Sequence, residues 1–172
     1  MKRNILCLDS EMQVTDCSAQ VDDLFSAEVD ESDLRFLSSF ERCVLPEVQW
    51  THLAHIRVAW VCLSLDAPAV ALARICEGIL RYNTEVLNRR HKYHETVTVA
   101  YTHIIADRMR AGERWVDFAD RVDDLLDPLN PILLMYYSAH RLFSDKARAE
   151  FVAPDLKKIP LLLVKADGGR NG

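Results

Sequence analysis

Glycine is scarce in this sequence of 172 residues. There are only 5 glycines, and three of them fall within the last five positions. Sandwiches and barrels need many tight turns, in which glycine is common, so this scarcity argues against them and favours helices. The motifs GxGxxG, GxxxxGK[ST] and GxSxG are also absent. The chain therefore carries no nucleotide-binding or serine-hydrolase signature.

Long apolar runs and paired cysteines are missing as well. The longest apolar stretch, Val58 to Leu65, is interrupted by Ser64 and followed by Asp66, and is too short to span a membrane. The segment Ile5 to Leu8 is too short for a secretory signal. The five cysteines form no CxxC pair, and their odd number is typical of reduced, buried thiols. We therefore expect a cytoplasmic protein with no membrane partner.

Charge is unevenly distributed along the chain. Nine acidic residues and no lysine or arginine lie between Asp9 and Asp33, so the remainder has a net charge of about +4 against −5 overall. This mild positive charge, without a basic stripe containing aromatic residues, argues against a nucleic-acid partner.

Composition and length favour one globular domain. We predict an acidic, partly ordered leader (1–44), a helical-bundle domain (45–160) and a flexible tail (161–172).

The hydrophobic pattern predicts an all-α fold, an antiparallel bundle of four to five helices preceded by the irregular acidic leader. Thr51 is a favourable N-cap for the first long helix, which should run from His52 to about Leu65. The other predicted helices have apolar residues at helical spacing and are bounded by Pro, Gly or Ser, with Ser144 as the predicted N-cap of the last one. They cover about 33–43, 68–82, 93–110, 115–126, 131–137 and 145–151.

Three histidines fall on the inward faces of two predicted helices. His52 and His55 share one face of the first long helix, and His94 lies on the inner face of the helix that begins near Tyr93. Neutral imidazoles bind Zn²⁺, Fe²⁺ or Ni²⁺, and three protein ligands with one open position are typical of catalytic zinc. We therefore predict one divalent metal at these three histidines. Two alternatives stay open, a polar pocket without metal and purely structural histidines. His103 is expected to be exposed and without a role.

Other polar side chains near these histidines are candidates for chemistry. Glu95 and Tyr101 are the candidate catalytic proton carriers. Arg57, Thr98 and Tyr137 are the candidate substrate-binding residues. Structural alternatives remain, because a first-turn Glu95 is favoured by the helix dipole, Thr98 can bond its own helix, and Arg57 can form a surface ion pair.

Several segments together resemble those of a group of small uncharacterised bacterial proteins. They are WTHxxHxRxAW at 50–60, KYHETxT at 92–98, and the short pieces Tyr137-Ser138, Leu142-Phe143-Ser144 and Pro154-Asp155-Leu156. The resemblance covers about 50–156 and leaves the acidic leader outside. It implies that residues 50–156 form one all-α unit, and it supplies no mechanism because the group has no established activity.

The pattern as a whole predicts a small-molecule enzyme. A metal at the three histidines would polarise a substrate oxygen or activate water. The alternative is a non-catalytic protein that binds a small ligand or acts as an accessory or interaction protein, with a protein partner held by the acidic leader. A homodimer is also left open.

Overall fold

The structure is a computed structural model that describes residues 27–127 and 132–160. Within these ranges the chain forms eight α-helices and three short 3-10 helices and no β-strand, which confirms the predicted all-α class. None of the helices in this part of the chain is long and apolar enough to cross a membrane. The α-helices are α1 (Glu31–Glu41), α2 (His52–Leu65), α3 (Pro68–Glu85), α4 (Glu95–Arg108), α5 (Trp115–Arg121), α6 (Asp123–Leu126), α7 (Ala139–Leu142) and α8 (Asp145–Ala149). The 3-10 helices are Glu47–Gln49, Arg90–Lys92 and Ile132–Met135.

Helix α2 is the centre of the core. It packs against α1, α3, α4 and α6, and Val58, Trp60 and Val61 on it have no exposed surface. Most of its residues are apolar, and a helix with apolar residues on most of its surface is buried in the core. The predicted bounds of α2 are confirmed, and the Thr51 hydroxyl caps it by accepting a hydrogen bond from the backbone N–H of Ala54 at 3.3 Å.

Helix α4 begins later than predicted, and this moves His94 from the helix interior to its N-cap. The His94 ring accepts a hydrogen bond from the backbone N–H of Val97 at 3.3 Å through Nδ1. The ring therefore performs the capping role that Ser, Thr, Asp or Asn usually has. The helix also ends at Arg108, before Gly112, whose positive φ of 69° belongs to the following turn.

The second half of the chain is less regular than predicted. The helix expected over 115–126 is divided into α5 and α6 at Val122, where ψ is 41° and the helical backbone is interrupted. The helix expected over 131–137 is a 3-10 helix within the described residues, and α7 was not predicted. Ser144 does cap α8, as predicted, by accepting from the backbone N–H of Ala147 at 3.2 Å.

Helix α1 lies in the segment that the sequence assigned to the leader, yet it is part of the packed body. Leu37 and Phe40 are 2% and 1% exposed and belong to the core. The Asp33 carboxylate, also buried, accepts a 2.6 Å hydrogen bond from Arg57 on α2. A buried charge needs such a partner, so this pair fixes α1 on α2. The acidic residues before Ala27 lie outside the described residues.

Candidate functional site

A pocket of about 310 Å³ lies between α2, α3 and α4. This volume is at the small end of the range for small-molecule sites. Among the described residues its wall is mainly aliphatic and carries no Asp, Glu, Lys or Arg. The aliphatic lining residues are Ile56, Ala59, Ile75, Ile79, Val97 and Ile105, and the polar ones are His52, His55, Thr98, Tyr101 and Thr102.

His52 enters the pocket wall from the first turn of α2. Its Nε2 lies 2.7 Å from the carbonyl oxygen of Leu125 on α6. A carbonyl only accepts hydrogen bonds, so Nε2 carries the proton and Nδ1 remains as the second ring nitrogen. The His52 ring lies edge-on to the Tyr101 ring, with their centroids 5.5 Å apart. This contact brings the polar groups of α2 and α4 together at one end of the pocket.

His55 lies one turn further along α2 and is held as a neutral ring. Its Nδ1 lies 2.7 Å from the Thr51 carbonyl oxygen and therefore donates to it, which leaves Nε2 as the acceptor. Burial lowers the pKa of His55 to about 4; the hydrogen bond to Thr51 opposes this shift and the neighbouring His52 adds to it. At neutral pH this imidazole is therefore uncharged.

Tyr101 and Thr98 contribute hydroxyl groups that have no hydrogen-bond partner among the described residues. The alternative in which Thr98 bonds its own helix is not what the structure shows; Thr102 instead donates to the Thr98 carbonyl at 2.8 Å. Burial, with a smaller contribution from the Asp124 carboxylate, raises the pKa of Tyr101 to about 12. The phenol is therefore protonated at neutral pH and can donate a hydrogen bond.

His94 does not line the pocket. Its Nε2 lies 3.0 Å from the carbonyl oxygen of Leu142 and donates to it, while Nδ1 accepts the capping bond from Val97. Burial, then the charge of Arg148, lowers the pKa of His94. Because both ring nitrogens are used by the backbone, His94 has the arrangement expected of a structural histidine.

The metal prediction is therefore left with two of its three ligands near each other. The nitrogens not used by protein carbonyls are Nδ1 of His52 and Nε2 of His55. Within 27–127 and 132–160, no group of three or more His, Cys, Asp or Glu is placed to hold a metal ion. The donor set of the described residues thus does not make up the predicted three-ligand Zn, Fe or Ni site.

Three other predicted site residues also lie outside the pocket. Glu95 accepts a 2.6 Å hydrogen bond from the Tyr93 hydroxyl. Arg57 is held by Asp33, and its guanidinium lies 4.8 Å from the centroid of a phenylalanine ring on α1. Tyr137 is fully buried and donates to a backbone carbonyl at 2.9 Å. Each of these three side chains thus already forms a hydrogen bond within the protein, either to a neighbouring residue or to one distant in sequence.

Two features of the site were not predicted. Trp50 packs on His55, with ring centroids 3.9 Å apart, and Thr102 lines the pocket. A tryptophan immediately before the N-cap of a long helix was the available signal for the first contact. The prediction that His103 is exposed was wrong, since this residue is only 6% exposed. Its ring packs near that of Phe151, with centroids 6.2 Å apart.

Searches of protein-family models, curated proteins and solved structures find no match to this chain. The likeness of its short segments to the bacterial group stays a prediction. The homodimer also stays a prediction. So does the protein partner of the acidic leader, because residues 1–26 lie outside the described part.

Proposed function

We propose that this chain binds a small, mainly apolar and uncharged molecule in the pocket between α2, α3 and α4. The observation that supports this function is the composition of the wall. Six aliphatic residues surround hydroxyl and imidazole groups, and none of the charged side chains within 27–127 and 132–160 lines the pocket. Small-molecule sites commonly combine an apolar lining with a few polar groups that orient the ligand.

The absence of charged side chains from the described part of the pocket lining supports an uncharged ligand. Moving a charged group from water into an apolar site is costly unless an opposite charge is placed to receive it. The nearby His55 supplies no positive charge at neutral pH, because burial lowers its pKa to about 4. An anion or a cation would therefore lose its hydration shell without gaining an ion pair.

Three probes of nearly equal size test this proposal. Naphthalenemethanol, naphthoate and naphthalenemethylammonium share a bicyclic apolar body and carry a neutral, a negative and a positive group. We expect the alcohol to bind at least about tenfold more tightly than either ion, because each ion must be desolvated without a partner. Chemical-shift changes in ¹⁵N-labelled full-length protein measure the affinities and should cluster at Thr98, Tyr101 and the start of α2. Equal affinities, or changes confined to other residues, would contradict the proposal.

Filling the pocket supplies the matched control. Ala59 is 4% exposed and lines the cavity, whereas Ala69 is exposed in the first turn of α3. Ala59→Leu should abolish binding of naphthalenemethanol, and Ala69→Leu should leave it unchanged. Thr98→Leu fills the same space from α4 and serves if Ala59→Leu does not fold. Retained binding in both pocket variants would show that the probe binds elsewhere.

A metal-dependent enzyme is the second candidate, favoured by one observation. His52 and His55 each donate one ring N–H to a backbone carbonyl, as metal-binding histidines commonly do. Their second ring nitrogens have no hydrogen-bond partner in the part of the chain that the structure describes. Titration of the full chain with Zn²⁺ against a chromophoric chelator tests this candidate. Stoichiometric uptake that is lost in His52→Asn and kept in His94→Asn would support it, and no uptake would remove it.

A further inference from the structure

Trp50 packs on one side against the pocket residue His55 and on its other sides against two buried aromatic rings. Its ring stacks on Phe40 of α1 with centroids 4.7 Å apart and planes 16° apart. It also packs on Tyr82 of α3 at 4.8 Å and on His55 of α2 at 3.9 Å. Trp50 therefore joins rings from three helices at the side of His55.

Hydrogen bonding does not explain the position of Trp50. Its Nε1 is buried and has no partner among the described residues. A buried unpaired donor costs about 1–3 kcal/mol, so the ring packing must outweigh this cost. The packing partners are themselves fixed, because the Tyr82 hydroxyl donates to the Leu45 carbonyl at 2.7 Å and Phe40 is 1% exposed.

The consequence for His55 is a ring held in one orientation. Rotation about its ring axis would break the 2.7 Å bond from Nδ1 to the Thr51 carbonyl, and displacement of the ring would break the contact with Trp50. Within the His55 ring, Nε2 is thus the nitrogen that can accept a hydrogen bond from a pocket ligand. A fixed acceptor favours a ligand with an O–H or N–H group, because little ordering remains to be done on binding.

We infer that Trp50 is a positioning residue for His55, and that the pocket selects small apolar molecules that carry a hydroxyl or N–H donor. This inference rests on the proposed function, since it assumes that the pocket takes an uncharged ligand. Beyond the proposed function, the inference specifies that the ligand carries a hydrogen-bond donor. It also assigns to Trp50 the role of keeping the acceptor, Nε2 of His55, in place.

Naphthalenemethanol and its methyl ether test the inference, because they have the same apolar body and the ether lacks the donor. We expect wild-type protein to bind the alcohol about fivefold more tightly than the ether, the ratio typical of one neutral hydrogen bond. Equal binding of the two probes would overturn the inference and leave the proposed function intact. Binding of neither would overturn both.

Substitutions then separate positioning from general stability. His55→Phe keeps a ring beside Trp50 but removes the acceptor, and should equalise the two probes. Trp50→Ala should reduce the preference and raise the pKa of His55 from about 4 toward its ordinary 6.5, as measured by NMR titration, because the ring gains access to water. Trp50→Phe keeps an aromatic ring on His55 and should restore both the probe preference and the titration of His55. Trp50→Leu, which keeps apolar volume without a ring, replaces Trp50→Ala if that variant does not fold.

Trp60→Phe is the matched control, because the Nε1 of Trp60 is likewise buried without a partner among the described residues but its ring packs on Trp115 and Phe118. We expect it to leave the probe preference and the His55 titration unchanged. A Trp50→Ala protein that folds, keeps the fivefold preference and titrates like wild type would refute the positioning role.

Discussion

The pocket and the C-terminal corner contain similar polar residues, but these residues differ in whether the protein itself supplies their hydrogen-bond partners. We define the corner as residues 137–155 together with the start of α4 at 94–96. In the corner, His94, Thr96 and Tyr137 direct their polar atoms to backbone partners. In the pocket, Tyr101 and Thr98 keep hydroxyls with no partner among the described residues.

This difference shows that residue type does not decide whether a buried polar side chain is structural or available to a ligand. A polar group whose bonding capacity is filled by the protein contributes to stability, and its removal leaves its partner unpaired. A polar group with no hydrogen-bond partner in the protein contributes little to the stability of the folded state. It can instead contribute to affinity by bonding a ligand. Matched substitutions in the two regions can therefore break or sharpen the comparison.

The largest expected effect comes from pH. The pKa of His55 is about 4 in the folded protein and about 6.5 when unfolded, so the unfolded chain binds more protons between these values. The associated stability is complete above pH 6.5 and is lost as the pH falls toward 4. The free energy of unfolding should fall by up to about 3 kcal/mol from this group alone, as measured by urea denaturation at several pH values.

His55→Asn is the control for the pH experiment. Asparagine can still donate to the Thr51 carbonyl but does not titrate, so its loss of stability on acidification should be smaller than that of wild type. Identical pH dependence in the two proteins would show that His55 is not kept neutral by burial. Naphthalenemethanol should shift the titration of His55 in the pocket and leave that of His94 in the corner unchanged.

A threonine pair on one helix gives the next effect. Thr96 is fully buried, and its hydroxyl donates to the Glu150 carbonyl at 2.8 Å and accepts from the Val152 N–H at 3.1 Å. Thr96→Val should lower the free energy of unfolding by about 2 kcal/mol because it leaves both groups unpaired. Thr98→Val should change it by less than about 0.5 kcal/mol. Chemical denaturation measures both, and similar costs would abolish the distinction between corner and pocket.

A tyrosine pair gives the smallest change in stability. Tyr137→Phe removes the buried 2.9 Å bond to the Val152 carbonyl and should cost about 1 kcal/mol. Tyr101→Phe should leave the unfolding free energy nearly unchanged and weaken naphthalenemethanol binding by about fivefold, because it removes a phenol that can donate one hydrogen bond to the ligand. Denaturation and NMR titration measure the two effects. A stable Tyr101→Phe protein that binds naphthalenemethanol as tightly as wild type does would remove Tyr101 from the site.

The sequence predicted best where local signals were strong. The bounds of α2 follow from an apolar run between the Thr51 cap and the Pro68 helix start, and no distant contact was needed. His52, His55, Thr98 and Tyr101 line one pocket because helical spacing places them on the facing sides of α2 and α4. For these residues, periodicity alone was sufficient to bring them together.

The errors have a common cause in contacts between distant segments. An N-cap and a first-turn residue look alike in sequence, and the partner that distinguishes them for His94 is Leu142. Arg57 was separated from the pocket by Asp33 of α1, in a segment whose acidity suggested a leader. Trp50 was overlooked because its stacking partners come from positions 40 and 82.

Gly78 on α3 makes room for the aromatic cluster of Phe40, Trp50 and Tyr82 that packs beside His55. A β-carbon at this position would lie 2.8 Å from Cε1 of Phe40, so any other residue would displace the ring that stacks on Trp50. The single hydrogen of Gly78 thus sets how closely α1 can approach α3. Gly78, Phe40, Trp50 and His55 should therefore occur together in any chain that packs a tryptophan on this histidine in the same way, which makes the set a practical criterion for finding its relatives among helical sequences.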